Sequence, residues 1–135
     1  SEAKSMVVRV LADTNFLMIP GSFKIDVFQE LSRVLEVKFQ LVVPGPVVEE
    51  LKRLAARGTP RERAAARIAL DLIKDAQVIP KHGQTDEVIM EIAEKEKMIV
   101  ATTDSALRRK LRKRGIPVIF LRERSHLMVD GSWRV

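Results

Sequence analysis

The 135-residue sequence is 46% hydrophobic and 31% charged, a balance that excludes a disordered chain and suits one domain with a self-sufficient core. It holds no cysteine, which excludes disulfides, thiolate metal sites and thiol nucleophiles, and agrees with a reducing, cytoplasmic setting. Net charge is +6, but the excess is local: residues 105–124 carry eight basic residues against one acid, Glu123, so the remainder is close to neutral.

No apolar run approaches the ~18–20 residues of a membrane span, and Ser1 to Ser5 lack the apolar stretch of an export signal. A single domain over residues 1–135 is therefore expected, its core running from about residue 7 to 121 with a short C-terminal tail. In chain order, Val7 to Leu11 is a β-branched strand that stops at the turn-formers Ala12-Asp13-Thr14-Asn15, and Asn15 is the sole asparagine. Phe23 to Val37 spaces Val27, Phe28, Leu31, Val34 and Leu35 as a helix. Leu41-Val42-Val43 is a second strand, stopped by Pro44-Gly45-Pro46, and Pro46 suits the first turn of the next helix, which reaches Gly58. Arg61 to Lys74 is an alanine-rich helix with Ile68, Leu72 and Ile73 expected inward. Gln77 to Ile79 is a third strand, Asp86 to Lys95 a helix, Met98 to Ala101 a fourth strand, Asp104 to Arg114 a helix, and Pro117 to Leu121 a fifth strand. Unalternating strands separated by helices predict a three-layer α/β/α sandwich around a central five-stranded parallel sheet, and such sheets bind ligands beyond the carboxyl ends of their strands.

Four acids fall at that edge. Asp13 ends the first strand, Asp104 follows the fourth, Asp86 opens the helix before the fourth, and Glu50 lies early in the helix after the second. At ~100° per residue, Glu50 borders the stripe of Val47, Leu51 and Leu54 while Glu49 points to solvent. Asp86 likewise flanks Val88, Ile89 and Ile92, whereas Glu87 points away, and Asp104 shares a face with Leu107 and Leu111. Each acid has an ordinary alternative: Asp13 as a turn-former, Asp86 and Asp104 as first-turn acids complementing helix dipoles, Glu50 as a rim residue. Packed together, however, carboxylates repel and must bind protons or cations. Hard divalent ions with oxygen ligands, Mg²⁺ or Mn²⁺, are the natural partners.

These segments resemble the PIN-domain (PilT N-terminus-like) nuclease family over nearly the whole chain, from Val7 to about Leu121. The resemblance rests on Asp13-Thr14-Asn15-Phe16 after the first strand, Val43-Pro44 with Val47-Val48-Glu50-Leu51, Asp86 with Ile89 and Ala93, and Thr102-Thr103-Asp104. It implies a metal-dependent endoribonuclease in which Asp13, Glu50, Asp86 and Asp104 converge on one or two Mg²⁺ or Mn²⁺ ions, with Asn15 and Thr102 supporting them by hydrogen bonds. Ile25-Asp26, Arg67-Ile68-Ala69 and the basic run look closest to the ribosomal-RNA-processing branch, with a toxin-type ribonuclease as the alternative. The partners implied are RNA, a second copy of the chain, and a protein inhibitor or a ribosome-assembly factor.

On the last helix, Arg108, Arg109, Lys110, Arg112 and Lys113 lie opposite Leu107 and Leu111. They read either as a solvated face or as a clamp on a nucleic-acid backbone. Aromatic residues are scarce, so base stacking is not expected to dominate recognition. His82, in the loop before Asp86, reads as incidental, and His126 has no assigned role. Two rivals stand beside the nuclease. An aspartyl-phosphate protein would want an aspartate where Asn15 stands, or a lysine where Arg122 stands. A non-catalytic RNA-binding or assembly module gains nothing from four anions facing phosphate.

Overall fold

Both faces of the central strands are apolar because helices cover both. The computed structural model describes residues 7–133, so Ser1 to Ser5, read above for an export signal, lie outside the described residues. Five strands run parallel: Val8–Ala12 (β1), Phe39–Pro44 (β2), Gln77–Ile79 (β3), Ile99–Ala101 (β4) and Val118–Arg122 (β5). A sixth, His126–Asp130 (β6), pairs antiparallel with β5, and the order across the sheet is β3-β2-β1-β4-β5-β6. Alternate strand residues feed opposite layers. Val10, Ala12, Val43, Ala101 and Ile119 join one core, while Leu11, Val42, Val100 and Val118 join the other.

Seven helices complete the described residues: Thr14–Leu17 (α1), Ile19–Phe23 (α2), Val27–Leu35 (α3), Gly45–Arg57 (α4), Pro60–Leu72 (α5), Thr85–Glu96 (α6) and Ser105–Lys113 (α7). The first five share one face of the sheet; α6 and α7 cover the other with Val88, Ile89, Ile92, Leu107 and Leu111. None of them is long and apolar enough to cross a membrane. The chain steps outward from β1 through β2 to β3, then crosses over to set β4 on the far side of β1. The order therefore reverses between β1 and β4, and a crevice opens where the connections leaving those two strands diverge.

The expected α/β sandwich is observed, with four local differences. The helix expected from Phe23 begins at Val27, because the Asp26 side chain caps it by accepting the Gln29 N–H at 3.1 Å. Ahead of it, α1 and α2 are too short to show a period in the sequence. The helix expected from Asp86 starts one residue earlier, capped by the Gln84 side chain. Ile68, expected inward, is 45% exposed, and Ala65, Ala66 and Ala69 take the inner face of α5. Close helix contact selects those small residues: a Cβ built on Gly21 of α2 would come within 2.5 Å of the Ala65 Cα, leaving no room for a branched side chain.

The fourth difference is β6, where a short tail was expected. Its turn is built on Glu123 and Arg124, both left-handed (φ 53° and 57°), without the Asn-Gly pair that marks such hairpins in a sequence. Leu127 of β6 is fully buried in the same core as β1. Its N–H donates to the Glu30 carboxylate at 2.9 Å and its carbonyl accepts from Arg33 at 2.8 Å, so α3 closes the backbone of an otherwise open edge strand. Arg33 and the Leu127 N–H hold the Glu30 carboxyl down to about 2.

The packing separates two isoleucines by burial alone. Ile89→Ala should cost ~2–5 kcal/mol, and Ile68→Ala should stay within about 0.5 kcal/mol of the parent. Urea unfolding of the two variants measures both.

Candidate active site

Asp13 is the first residue past β1, yet it remains tied to the sheet, because its N–H donates to the Ala101 carbonyl of β4 at 2.9 Å. Its side chain turns back to cap α1. Oδ1 accepts the Thr14 N–H at 2.8 Å, and Oδ2 accepts the Thr102 hydroxyl at 2.8 Å and the Asn15 amide at 3.2 Å. The residue is only 5% exposed. Thr102 follows β4 in the same way, donating its N–H to the Ile119 carbonyl of β5 at 3.0 Å. Its hydroxyl also accepts the Asp104 N–H at 3.1 Å. Asn15 completes the ring, since its carbonyl oxygen accepts the Thr103 N–H at 2.9 Å. Asn15 and Thr102 thus fix the buried carboxylate and link the ends of β1 and β4.

Burial pushes the Asp13 carboxyl above its ordinary range. The bonds from Thr102 and Thr14 oppose that shift, and the charges of Asp86 and Asp104 add to it. Asp86, on the first turn of α6, is raised by burial and then by Asp104, with Lys110 pulling it back. Asp104 fills the ordinary role considered for it, its Oδ1 accepting from Ala106 N–H at 2.9 Å and Leu107 N–H at 3.1 Å at the start of α7. Asp86 and Asp104 therefore act on Asp13, and Asp104 acts on Asp86, at the crevice.

Glu50 departs from the expected convergence. It forms an ion pair with Arg53, one turn along α4, in a neighbouring groove of about 750 Å³ that Lys81 and His82 also line. Among the described residues, no three acids or histidines are grouped closely enough to hold an ion between them. The fit to a hard cation lies in the donor chemistry: carboxylate oxygens whose mutual repulsion a divalent ion would relieve. The Thr14 hydroxyl, beside Asp13, is the one buried side-chain polar atom without a hydrogen bond among the described residues.

The basic run also divides. Leu107 and Leu111 are buried as expected, and Arg109, Lys110 and Lys113 are exposed. Arg108 and Arg112 are not a free clamp, because each donates its Nε–H to a different oxygen of Asp130 on β6, at 2.9 and 3.1 Å. Reading residues 122–135 as a tail hid Asp130. The apolar alternation of Leu127 and Val129 was the signal that marks the strand carrying it.

A sequence model described as a PIN-like domain matches residues 10–124. The chain is 35% identical to ribonuclease VapC4 of Methanocaldococcus jannaschii over 129 residues, which is 91% of this chain and 97% of that protein. It is 30% identical to the rRNA-processing protein FCF1 homolog of Mus musculus over 115 residues, covering 83% of this chain and 56% of that one. The solved structure of the PIN domain endonuclease Utp24 superposes with a TM-score of 0.73 at 29% identity, over 92% of each chain.

The raised Asp13 carboxyl fixes the sign of a pH effect. In the window between its ordinary and raised values the folded chain holds more protons than the unfolded one, so this stability contribution is full below the window and is lost as pH rises through it. Asp13→Asn has no charge to desolvate. In EDTA it should gain on the parent as pH rises from about 3 to about 7, read by urea unfolding. A flat difference over that range would show that hydrogen bonding offsets burial at this position, and a loss relative to the parent would show that it outweighs burial.

Proposed function

The chain belongs to the PIN-like domain family, and from that premise we propose that it is a metal-dependent endoribonuclease acting at the crevice between β1 and β4. One observation carries the reading: at the sheet's switch point burial raises the carboxyls of Asp13 and Asp86, which come from separate segments, and the charge of Asp104, from a third, adds to both shifts. Likeness to proteins named as a ribonuclease and as a PIN domain endonuclease supports RNA as the substrate and cleavage as the reaction. Asp13, Asp86 and Asp104 would hold Mg²⁺ or Mn²⁺ by drawing closer together around the ion than they stand without it, and Glu50 would join them on leaving Arg53. Such an ion supplies Lewis-acid polarisation of the phosphodiester and a nucleophilic hydroxide.

The chain's own residues supply position and charge. Thr102, Asn15 and the Thr14 N–H hold the Asp13 carboxylate in one orientation, so little reorganisation remains when substrate arrives. Exposed Arg109, Lys110 and Lys113 draw the phosphate backbone toward α7 without reading its sequence. The likeness to an rRNA-processing protein supports ribosomal RNA precursors as substrate, and the likeness to VapC4 supports a ribonuclease of that kind.

A second reading, an RNA-binding module without turnover, is favoured by the engagement of Glu50 with Arg53. Cleavage assays on an unstructured RNA separate the two. Asp13→Asn should lower Mn²⁺-dependent cleavage by roughly a hundredfold or more, the loss expected when a metal ligand's contribution of several kcal/mol is removed. Mn²⁺ at about 100 times its Kd should stabilise the parent by ~2.7 kcal/mol and leave Asp13→Asn unchanged. Cleavage that persists in EDTA, or RNA binding without cleavage in Mn²⁺, would overturn the assignment.

A further inference from the structure

Beside Asp104 lies a cleft of about 360 Å³, walled by Thr103, Asp104, Arg108, Phe120 and Arg122 among others. Its size sits at the lower end of small-ligand sites (~300–1,000 Å³), room for one nucleoside unit. Arg108 is held there from two directions. Its guanidinium carbon stands 3.5 Å from the centre of the Phe120 ring, and its Nε–H is donated to Asp130. Asp130 is itself fixed through its second oxygen by Arg112. The Arg108 side chain is still 33% exposed. The ring and the carboxylate fix the guanidinium at its centre and at its Nε edge, and the exposed third of the side chain lines the cleft.

That arrangement is poor for gripping phosphate and good for stacking. An anion clamp needs free N–H donors and uncompensated charge, and the Asp130 carboxylate, shared with Arg112, takes the Nε–H of Arg108 and part of its charge. Stacking needs a flat, immobile, weakly hydrated plate, which the ring and the carboxylate provide together. We propose that Arg108 is a nucleobase-stacking platform, holding the base of one nucleotide next to the phosphodiester presented to Asp13 and Asp104. The proposal rests on the ribonuclease reading above and narrows its substrate to unpaired RNA, because bases inside a duplex are already stacked and present no open face. It also supplies the stacking surface that scarce aromatic residues fail to announce.

The test measures binding in EDTA, where turnover plays no part. The probes are short unpaired oligoribonucleotides, each carrying an abasic site or 2-aminopurine at one successive position. The parent should show one position at which losing the base weakens binding roughly tenfold and at which 2-aminopurine fluorescence is quenched. Arg108→Lys keeps the charge and the means to reach Asp130 but loses the plane. It should bind the intact strand roughly tenfold more weakly, lose the positional effect, and keep the salt dependence of the parent. Phe120→Leu, which leaves the guanidinium in place without its backing ring, should weaken the same position, and thermal unfolding checks that both variants are folded. An unchanged abasic penalty in folded Arg108→Lys would overturn the platform. If Asp13→Asn still abolishes Mn²⁺-dependent cleavage in that event, the nuclease reading stands without it. If the parent binds no RNA even at low salt, both fall.

Discussion

The hydrogen bond from the Thr102 hydroxyl to the Asp13 carboxylate is the contact on which the rest of the site depends. A carboxylate this deeply covered is costly unless its oxygens are satisfied, and desolvation still dominates its proton affinity. The bond is possible because β1 and β4 are neighbours in register, Ala12 opposite Ala101, so the residues just past each strand meet. That adjacency follows from the crossover that reverses the strand order. Topology, rather than any local propensity, brings residues 13 and 102 together. Asn15 and the Thr103 N–H extend the same link, and Asp104 inherits its position through its own N–H to Thr102. One hydroxyl therefore organises two of the acids.

Much of this was legible in the sequence because it depends on period and punctuation. Apolar runs marked the five parallel strands, and Pro44-Gly45-Pro46 marked the passage from β2 to α4. The angular argument separating Asp86 from Glu87, half-buried and exposed respectively, agrees with the burial observed. What escaped was set by tertiary contact. Ile68 faces outward because a close helix crossing admits only alanine-sized groups, and no single-helix pattern contains that constraint. The β5–β6 turn uses Glu123 and Arg124 in a conformation that glycine and asparagine normally occupy, so its sequence gives no warning.

Charge was the least legible property. The run on α7 reads as one uniform basic face, yet the structure divides it by partner. Arg108 and Arg112 serve Asp130, whereas Arg109, Lys110 and Lys113 face solvent, and Lys110 acts on Asp86. Glu50 shows the same principle with opposite sign, being matched by Arg53 in its own helix. Composition counts charges, but function depends on which remain uncompensated.

The Gly21–Ala65 approach has a mechanical consequence for the carboxylate pocket. The short helices carrying Gly21 hang directly from Asp13, with only Met18 separating α1 from α2. Any atom added at that crossing would push against the backbone of α5, so α2 or α5 would have to move, and α2 is joined to Asp13 through α1 alone. The width of a single hydrogen at Gly21 thus sets how closely the segment that leaves the first aspartate can settle on the helix behind it.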